Sequence, residues 1–234
     1  MKTLTTIAGA LLVGATFLCG TLNSSAQNIL IDPGFENQTP PSDGGWVFFT
    51  GGTVFSTAYA ETGNWSLFDS AFYNVAGSFE QFAAAPGSQW EMTGYGLTPA
   101  PLLGSPAFGL IQISFFDIFG NNLGTVATSP GNAQTSSQVN GAATPGQWLF
   151  LDTGIATAPA GTAFIQAFTI YVDFSGFDQG VYFDELSLQV LVKNHGAFVS
   201  SIANNAQALQ QAGYITGAQA DAMVSAAAQS NGGK

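Results

Sequence analysis

The chain has 234 residues, of which 46% are hydrophobic and 7% are charged, and its formal net charge at pH 7 is −11. Its basic residues are three lysines, with no arginine, so the composition excludes nucleic-acid binding, which needs cations to replace the phosphate counterions. Anionic polymers and phosphate ligands are disfavoured for the same reason. Neutral sugars, and cations such as calcium, suit a surface that depends on Asn, Gln, Ser and Thr for its solubility.

Residues 1–26 have the features of a cleaved signal peptide. Met1-Lys2 gives a positive start, residues 11–18 form a short apolar run, and Ser24-Ser25-Ala26 supplies small residues for cleavage before Gln27. We therefore expect a secreted protein. Cys19 is the only cysteine, so the mature chain is expected to lack disulfides, and no other segment is apolar enough to predict a transmembrane helix.

Residues 27–192 alternate strand-like runs with Gly, Pro and Asn clusters, which is typical of an all-β sandwich. The polar stretch Ser129–Thr144 is predicted to be a mobile loop, or an edge strand between loops. The predicted strands are Asn28–Leu30, Trp46–Thr50, Trp65–Phe68, Ser78–Ala83, Gln89–Leu97, Ala107–Asp117, Gln147–Ile155, Ala163–Val172 and Val181–Val190.

Residues 193–234 change to a helical pattern. Asn194–Gln211 has helical spacing of apolar residues, and Gly213 is placed to end that helix. Thr216 to Gln219 has the spacing of a capping box before a second helix, Ala218–Gln229. The apolar face of this αα-hairpin is narrow, so we expect the hairpin to need the sandwich, self-association or a surface partner to stay folded.

Several motifs in residues 28–190 occur in the order found in galactose-binding-like jelly rolls. They are Asn28-Ile29-Leu30-Ile31-Asp32-Pro33-Gly34-Phe35-Glu36, Gly45-Trp46, Gly63-Asn64-Trp65-Ser66-Leu67, Pro86-Gly87-Ser88-Gln89-Trp90, Phe115 to Leu123, Trp148, Ala158-Pro159-Ala160-Gly161-Thr162 and Val181-Tyr182-Phe183-Asp184-Glu185-Leu186-Ser187-Leu188. The chain resembles carbohydrate-binding modules of the family 4, 9 and 22 type. The resemblance implies a jelly-roll β-sandwich; the helical hairpin lies outside it.

The same resemblance implies a structural calcium ion. In such modules the first and last strands are neighbours, and an acidic residue from each binds calcium, which here points to Glu36 and Asp184. Two carboxylates with nearby carbonyls can begin the shell of six to eight oxygens that calcium prefers. The alternative is that Glu36 caps a turn and Asp184 is exposed. Strict alternation would turn Glu185 to the opposite face.

The resemblance also implies a sugar site on the concave face of one sheet. Trp46, Trp90 and Trp148 are predicted to pack in the core, as buried aromatic residues commonly do, whereas the position of Trp65 is left open. The candidate ligand-binding residues are Tyr95, Gln112, Tyr171 and Trp65. The alternative is that these side chains are ordinary residues of the sheet surface.

Catalysis is not predicted. His195 is the only histidine and starts the helical tail, where it cannot complete a triad or a zinc site. No spacing singles out a pair of carboxylates for glycoside hydrolysis. Two functions remain open: a non-catalytic module that binds neutral glycans or polysaccharide, and a structural or adhesive cell-surface or matrix protein that uses the fold as a scaffold.

Overall fold

The computed structural model describes residues 27–37, 45–50, 52–104, 106–128, 138–192 and 194–232. The predicted signal peptide, residues 1–26, and most of the predicted loop at 129–144 lie outside the described residues. The described chain forms two sheets that pack face to face, followed by two helices.

The front sheet has the strand order β1-β4-β11-β6-β7, and β8 also pairs with β6. Its strands are β1 Val47–Phe49, β4 Asn74–Ala83, β6 Ala107–Phe116, β7 Asn122–Ala127, β8 Val139–Asn140 and β11 Phe164–Asp173. The back sheet has the order β10-β5-β12-β3-β2, and β9 also pairs with β5. Its strands are β2 Thr53–Ser56, β3 Ser66–Ala71, β5 Gln89–Leu97, β9 Leu149–Asp152, β10 Ala156–Thr157 and β12 Gln179–Val190. All pairings are antiparallel, so the predicted all-β jelly-roll sandwich is confirmed.

The first segment of the sandwich lies beside the last strand, as predicted. The amide of Ile29 donates to the carbonyl of Leu188 at 2.9 Å, and the amide of Leu186 donates to the carbonyl of Pro33 at 2.9 Å. Asn28 extends this pairing through its side chain, which donates to the Leu186 carbonyl at 2.7 Å. The segment 28–30 is nevertheless not a regular strand, which corrects the predicted first element.

Alternation along the strands divides each sheet into a buried and an outer face. In β11 the odd-numbered residues from Ile165 to Asp173 are buried, and the even-numbered ones are half-buried. The inward residues of both sheets form one core with Phe35, Trp46 and Trp90.

The carboxyl groups of Asp69 and Glu80 are buried between the sheets, and neither has a cationic partner among the described residues. Asp69 Oδ1 accepts from Thr53 Oγ1 at 2.7 Å, whereas Asp69 Oδ2 has no hydrogen-bond partner within the described chain. Glu80 accepts from the amide of Ile31 at 3.1 Å. Burial raises the pKa of Asp69 to about 7 and that of Glu80 to about 8.

The C-terminal helices are α1, His195–Gln211, and α2, Gly217–Gln229, close to their predicted bounds. Asn194 caps α1 through a hydrogen bond from the amide of Ala197 at 2.9 Å. The predicted capping box is present at Thr216 and Gln219. Gly213 has a φ of 76°, which a residue without Cβ adopts at little cost.

The hairpin packs on the sandwich through α1. Phe198 and Ile202 are buried in the main core, and the ring of Phe198 lies 6.2 Å from that of Trp90. Asn205 Nδ2 donates to the carbonyls of Ala84 and Thr162, each at 3.1 Å. The sandwich therefore supplies the surface that the narrow apolar face of the hairpin was predicted to need. Neither helix of the described chain is long and apolar enough to cross a bilayer.

Candidate functional site

The four residues predicted to bind a ligand do not share one surface. Tyr95 lies on the outer face of the back sheet, where its ring contacts Phe150 at a centroid distance of 5.4 Å. Gln112 lies on the outer face of the front sheet, on β6. These two side chains are therefore on opposite sides of the sandwich.

The other two predicted residues are also placed elsewhere. Tyr171 is fully buried, and its hydroxyl donates to Asp173 Oδ2 at 3.2 Å, so the prediction that it lines an open groove is wrong. Burial, with Asp173 nearby, raises the pKa of this phenol above its usual range. Trp65 is half-buried before β3, at an end of the back sheet. Of the four residues, only Gln112 lies on the face described next.

The outer face of the front sheet carries a polar belt that crosses four adjacent strands. Gln81 of β4 and Ser114 of β6 both stand opposite Gln166 of β11, and Thr125 of β7 stands opposite Ser114. Gln166 Nε2 donates to Gln81 Oε1 at 3.0 Å, and the Ser114 and Thr125 hydroxyls are 3.0 Å apart. Gln112 joins this polar belt by donating from Nε2 to Ser114 Oγ at 2.9 Å.

Aromatic rings flank the polar belt on one side. Phe79 and Phe168 face each other across β4 and β11 with ring centroids 5.4 Å apart. Phe49 of β1 lies 5.9 Å from Phe168, nearly edge-on. A Cβ atom at Gly77 would lie 2.2 Å from the Thr169 carbonyl oxygen and 2.6 Å from the Phe49 ring, so only glycine leaves room for both the β11 backbone and the ring. We call Phe49, Phe79 and Phe168 the phenylalanine cluster.

The opposite side of the polar belt carries a second aromatic surface. Phe116 and Phe164 are direct neighbours on β6 and β11, and their rings are stacked with centroids 5.2 Å apart and an interplanar angle of 10°. Hydrogen-bonding amides and hydroxyls thus lie between two apolar rows.

The outer face of the front sheet is uncharged. None of the outward side chains on its described strands belongs to Asp, Glu, Lys, Arg or His. Charged ligands would lose hydration there without gaining an ion pair. The face can offer hydrogen bonds from amides and hydroxyls and apolar contacts from rings, which is a chemistry for a neutral, hydroxyl-rich molecule.

Trp148 lies outside the core, whereas Trp46 and Trp90 are buried as predicted. Trp148 is half-buried and lines a separate pocket of about 290 Å³ together with Gln138, Asn140 and Gln147. The residue follows a turn of polar and glycine residues, so no strand alternation holds its ring between the sheets.

Glu36 and Asp184 meet at the segment 61–65, because the first segment and β12 are neighbours. Glu36 Oε1 accepts from the amides of Asn64 and Trp65, both at 2.8 Å. Asp184 Oδ2 accepts from the amide of Glu61 at 2.7 Å. Asp184 is buried, whereas the alternative supposed that it is exposed. Burial raises the pKa of Asp184 to about 6.

Glu185 joins the same cluster, which corrects the expectation from alternation. The register of β12 against β5 shifts between Asp184 and Ser187, and Glu185 has a φ of 48°. A Cβ atom at Gly34 would lie 3.4 Å from Glu185 Oε1 and 3.8 Å from Asp184 Oδ1. The bulge therefore turns two consecutive carboxylates toward one turn.

The amide donors give these carboxylates hydrogen-bond partners within the protein. Within the described part of the chain, no group of three or more His, Cys, Asp or Glu side chains has the arrangement of a metal site. Calcium at Glu36 and Asp184 stays a prediction.

Sequence reasoning did not propose Gln81, Gln166 or the phenylalanine cluster as ligand-binding residues. The signal was present in β11, where Phe164, Gln166 and Phe168 alternate with buried residues. Which residues of β4 and β6 stand beside them depends on the register of non-consecutive strands, which alternation alone does not give.

No protein-family model matches this chain. None of the curated proteins compared with it matches either.

Solved structures share its fold. The xylan-binding domain CBM22-1 of Paenibacillus barcinonensis Xyn10C is 17% identical, with a TM-score of 0.50, and the match covers 71% of this chain and 96% of that domain. An arabinose-bound α-L-arabinofuranosidase, MgGH51, is 14% identical with a TM-score of 0.52 over 72% of this chain, but only 27% of the enzyme's chain is covered. This chain thus spans about a quarter of that enzyme's chain. The two sheets of this protein have the jelly-roll fold of carbohydrate-binding modules.

Proposed function

We propose that this protein is a secreted, non-catalytic module that binds a neutral polysaccharide on the outer face of the front sheet. The observation that carries the proposal is the polar belt between the phenylalanine cluster and the stacked Phe116–Phe164 pair. Residues 1–26, with their signal-peptide pattern, support the secreted location.

The chemistry of this face matches that of a sugar chain. A pyranose ring presents hydroxyls at its rim and C–H bonds on its faces. Gln81, Gln166 and Gln112 can each donate and accept hydrogen bonds, and the half-buried rings beside them can pack against C–H surfaces. A chain that lies along the polar belt would meet both kinds of group at once.

The structural neighbours support a glycan as the ligand. The module from Xyn10C is described as a xylan-binding domain, so xylan is the first polysaccharide to test. Linear mannan and β-glucan oligosaccharides are the next probes, because the uncharged face favours neutral polymers without specifying the sugar.

The first prediction concerns Gln166, which lies at the centre of the polar belt. Gln166→Ala should weaken binding to the best linear oligosaccharide by about tenfold, the effect of roughly one lost hydrogen bond. Isothermal titration with the full chain measures the change. Gln207→Ala, on an exposed part of α1, is the matched control and should bind like the wild type.

Two outcomes would count against this site. If the wild type binds none of the neutral polysaccharides, the proposed function fails. If the wild type binds but only Trp148→Ala weakens the complex, the ligand occupies the Trp148 pocket and not the polar belt.

A scaffold function is favoured by a different observation. Phe72, Tyr73, Leu103, Phe174 and Phe177 are about half exposed on loops at one end of the sandwich. Contiguous exposed apolar surface is commonly a contact surface. Three results together would favour this function. The protein associates in a concentration-dependent way, Phe72→Ser and Phe177→Ser abolish that association, and no glycan binds.

A further inference from the structure

The second helix of the hairpin runs beside the proposed glycan-binding face. A groove of about 370 Å³ lies between α2 and the ends of three strands of the front sheet. Its floor includes Gln81, Ala83 and Phe164, and its helical side consists of Ala222, Met223 and Ala226. A smaller space of about 90 Å³ continues it toward Ile29 and Ser230.

The direction of α2 follows from the residues that it meets. The beginning of α2 packs near Ile118, which follows β6, whereas its end lies near Ile29 and the last residues of β4. The helix therefore runs past the ends of β6, β11 and β4, which are three of the strands that carry the polar belt. Its 13 residues span about 20 Å at roughly 1.5 Å per residue, and the four strands of the polar belt span about 14 Å at roughly 4.8 Å per gap.

The hairpin is fixed in this position. Phe198 and Ile202 anchor α1 in the core, and Asn205 bridges two carbonyls of the sandwich. His195 ties the two helices together, because its ring nitrogens lie 2.7 Å from the Gly232 carbonyl and 3.2 Å from the Ala228 carbonyl. These contacts fix the distance between α2 and the front sheet.

The groove and the polar belt share a residue. Gln81 lies in the polar belt and also lines the groove. Ala222 and Ala226 are exposed on the side of α2 that faces the groove, so a chain on the polar belt would have one edge against two methyl groups. The other edge lies over the phenylalanine cluster, away from the helix.

We propose that α2 forms one side wall of the glycan-binding cleft and selects linear polysaccharides, or those with side branches only on the edge away from the hairpin. This inference rests on the proposed function and adds a specificity element that lies outside the jelly roll. A branch that points toward α2 would collide with the wall, because the helix that carries Ala222, Met223 and Ala226 is held in place by α1 and His195.

A groove-filling substitution tests the wall. Ala226→Trp should weaken binding of linear xylohexaose, or of whichever linear oligosaccharide binds best, by tenfold or more. Ser225→Trp places the same side chain on the neighbouring exposed position, which is not part of the groove, and should bind within twofold of the wild type. Ala222→Trp repeats the test one helical turn away if Ala226→Trp melts at a lower temperature.

The results separate this inference from the proposed function. A wild type that binds no glycan overturns the proposed function and the wall together. A wild type that binds, with Ala226→Trp and Ala222→Trp unchanged in affinity, overturns only the wall. Equal wild-type affinity for linear oligosaccharides and for densely branched arabinoxylan fragments would also overturn it.

Discussion

Glu185 shows how a single residue reshapes the end of the sandwich. Its φ of 48° places a non-glycine residue in the left-handed region, which is costly for an L-amino acid. The bulge that results brings Glu185 and Asp184 to the same turn as Glu36. No basic side chain compensates these carboxylates within the described residues, so backbone amides and the Thr62 hydroxyl serve as their donors.

Calcium binding at this turn is the prediction at the residue scale. If Glu36 and Asp184 hold calcium, adding it to chelator-treated protein should raise the melting temperature, because a ligand that binds only the native state stabilises it. Glu36→Gln should remove most of this rise. Differential scanning calorimetry with and without calcium measures it, and an unchanged midpoint would mean that the amide donors alone satisfy the carboxylates.

Individual residues also show what the sequence could reveal about the candidate site. Gln112 was predicted to line an open groove, and alternation within β6 does place it on an outer face, since that property is local. Alternation within β11 makes Tyr171 an inward residue, on the same side as Ile165 and Asp173. Tyr171 was predicted to line an open groove, but its hydroxyl has a buried partner in Asp173. The hydroxyl of a tyrosine therefore does not by itself indicate that the side chain is exposed.

At the scale of elements, the hairpin was predictable because its signals are local. Asn194, Gly213 and the capping box at Thr216 act within a few residues of each helix end. The strands β2, β7 and β10 were not predicted, whereas β8 lies in Ser129–Thr144, for which an edge strand between loops was one of two expectations. These four strands have two to six residues and are strands only because a neighbouring strand pairs with them.

Asn205→Ala tests how the hairpin is attached to the sandwich. The substitution removes the donor to the carbonyls of Ala84 and Thr162 and should lower the free energy of unfolding by about 1–3 kcal/mol. Urea unfolding monitored by circular dichroism measures the loss. Asn204→Ala, at the adjacent exposed position, should change stability little, and equal losses in both variants would show that the bridge does not hold the hairpin.

At the scale of the whole molecule, the buried carboxyl groups give stability a characteristic pH dependence. Asp69 and Glu80 have native pKa values of about 7 and about 8, above their ordinary values of 3.8 and 4.5. Between about pH 4 and pH 8 the native state therefore holds more protons than the unfolded state. Stability falls as the pH rises through that window.

We expect the melting temperature to be higher at pH 5 than at pH 8.5. Asp69→Asn and Glu80→Gln remove the ionisation while keeping an acceptor oxygen, so each should reduce the difference, and the double variant should reduce it further. Thermal melts across this range test the expectation. A wild type that is equally stable at both pH values would show that these groups do not titrate with folding.

The distribution of lysine has a consequence for proteolysis. From Asn28 to Val192 the sequence has no lysine or arginine, so trypsin-like proteases have no cleavage site in the sandwich, folded or unfolded. Proteases that cut after aromatic residues have many potential cleavage sites, since the whole chain contains 20 phenylalanines. Resistance to proteases that cut after aromatic residues depends on the strands staying paired. Cleavage by chymotrypsin, and not by trypsin, therefore reports local opening of this protein.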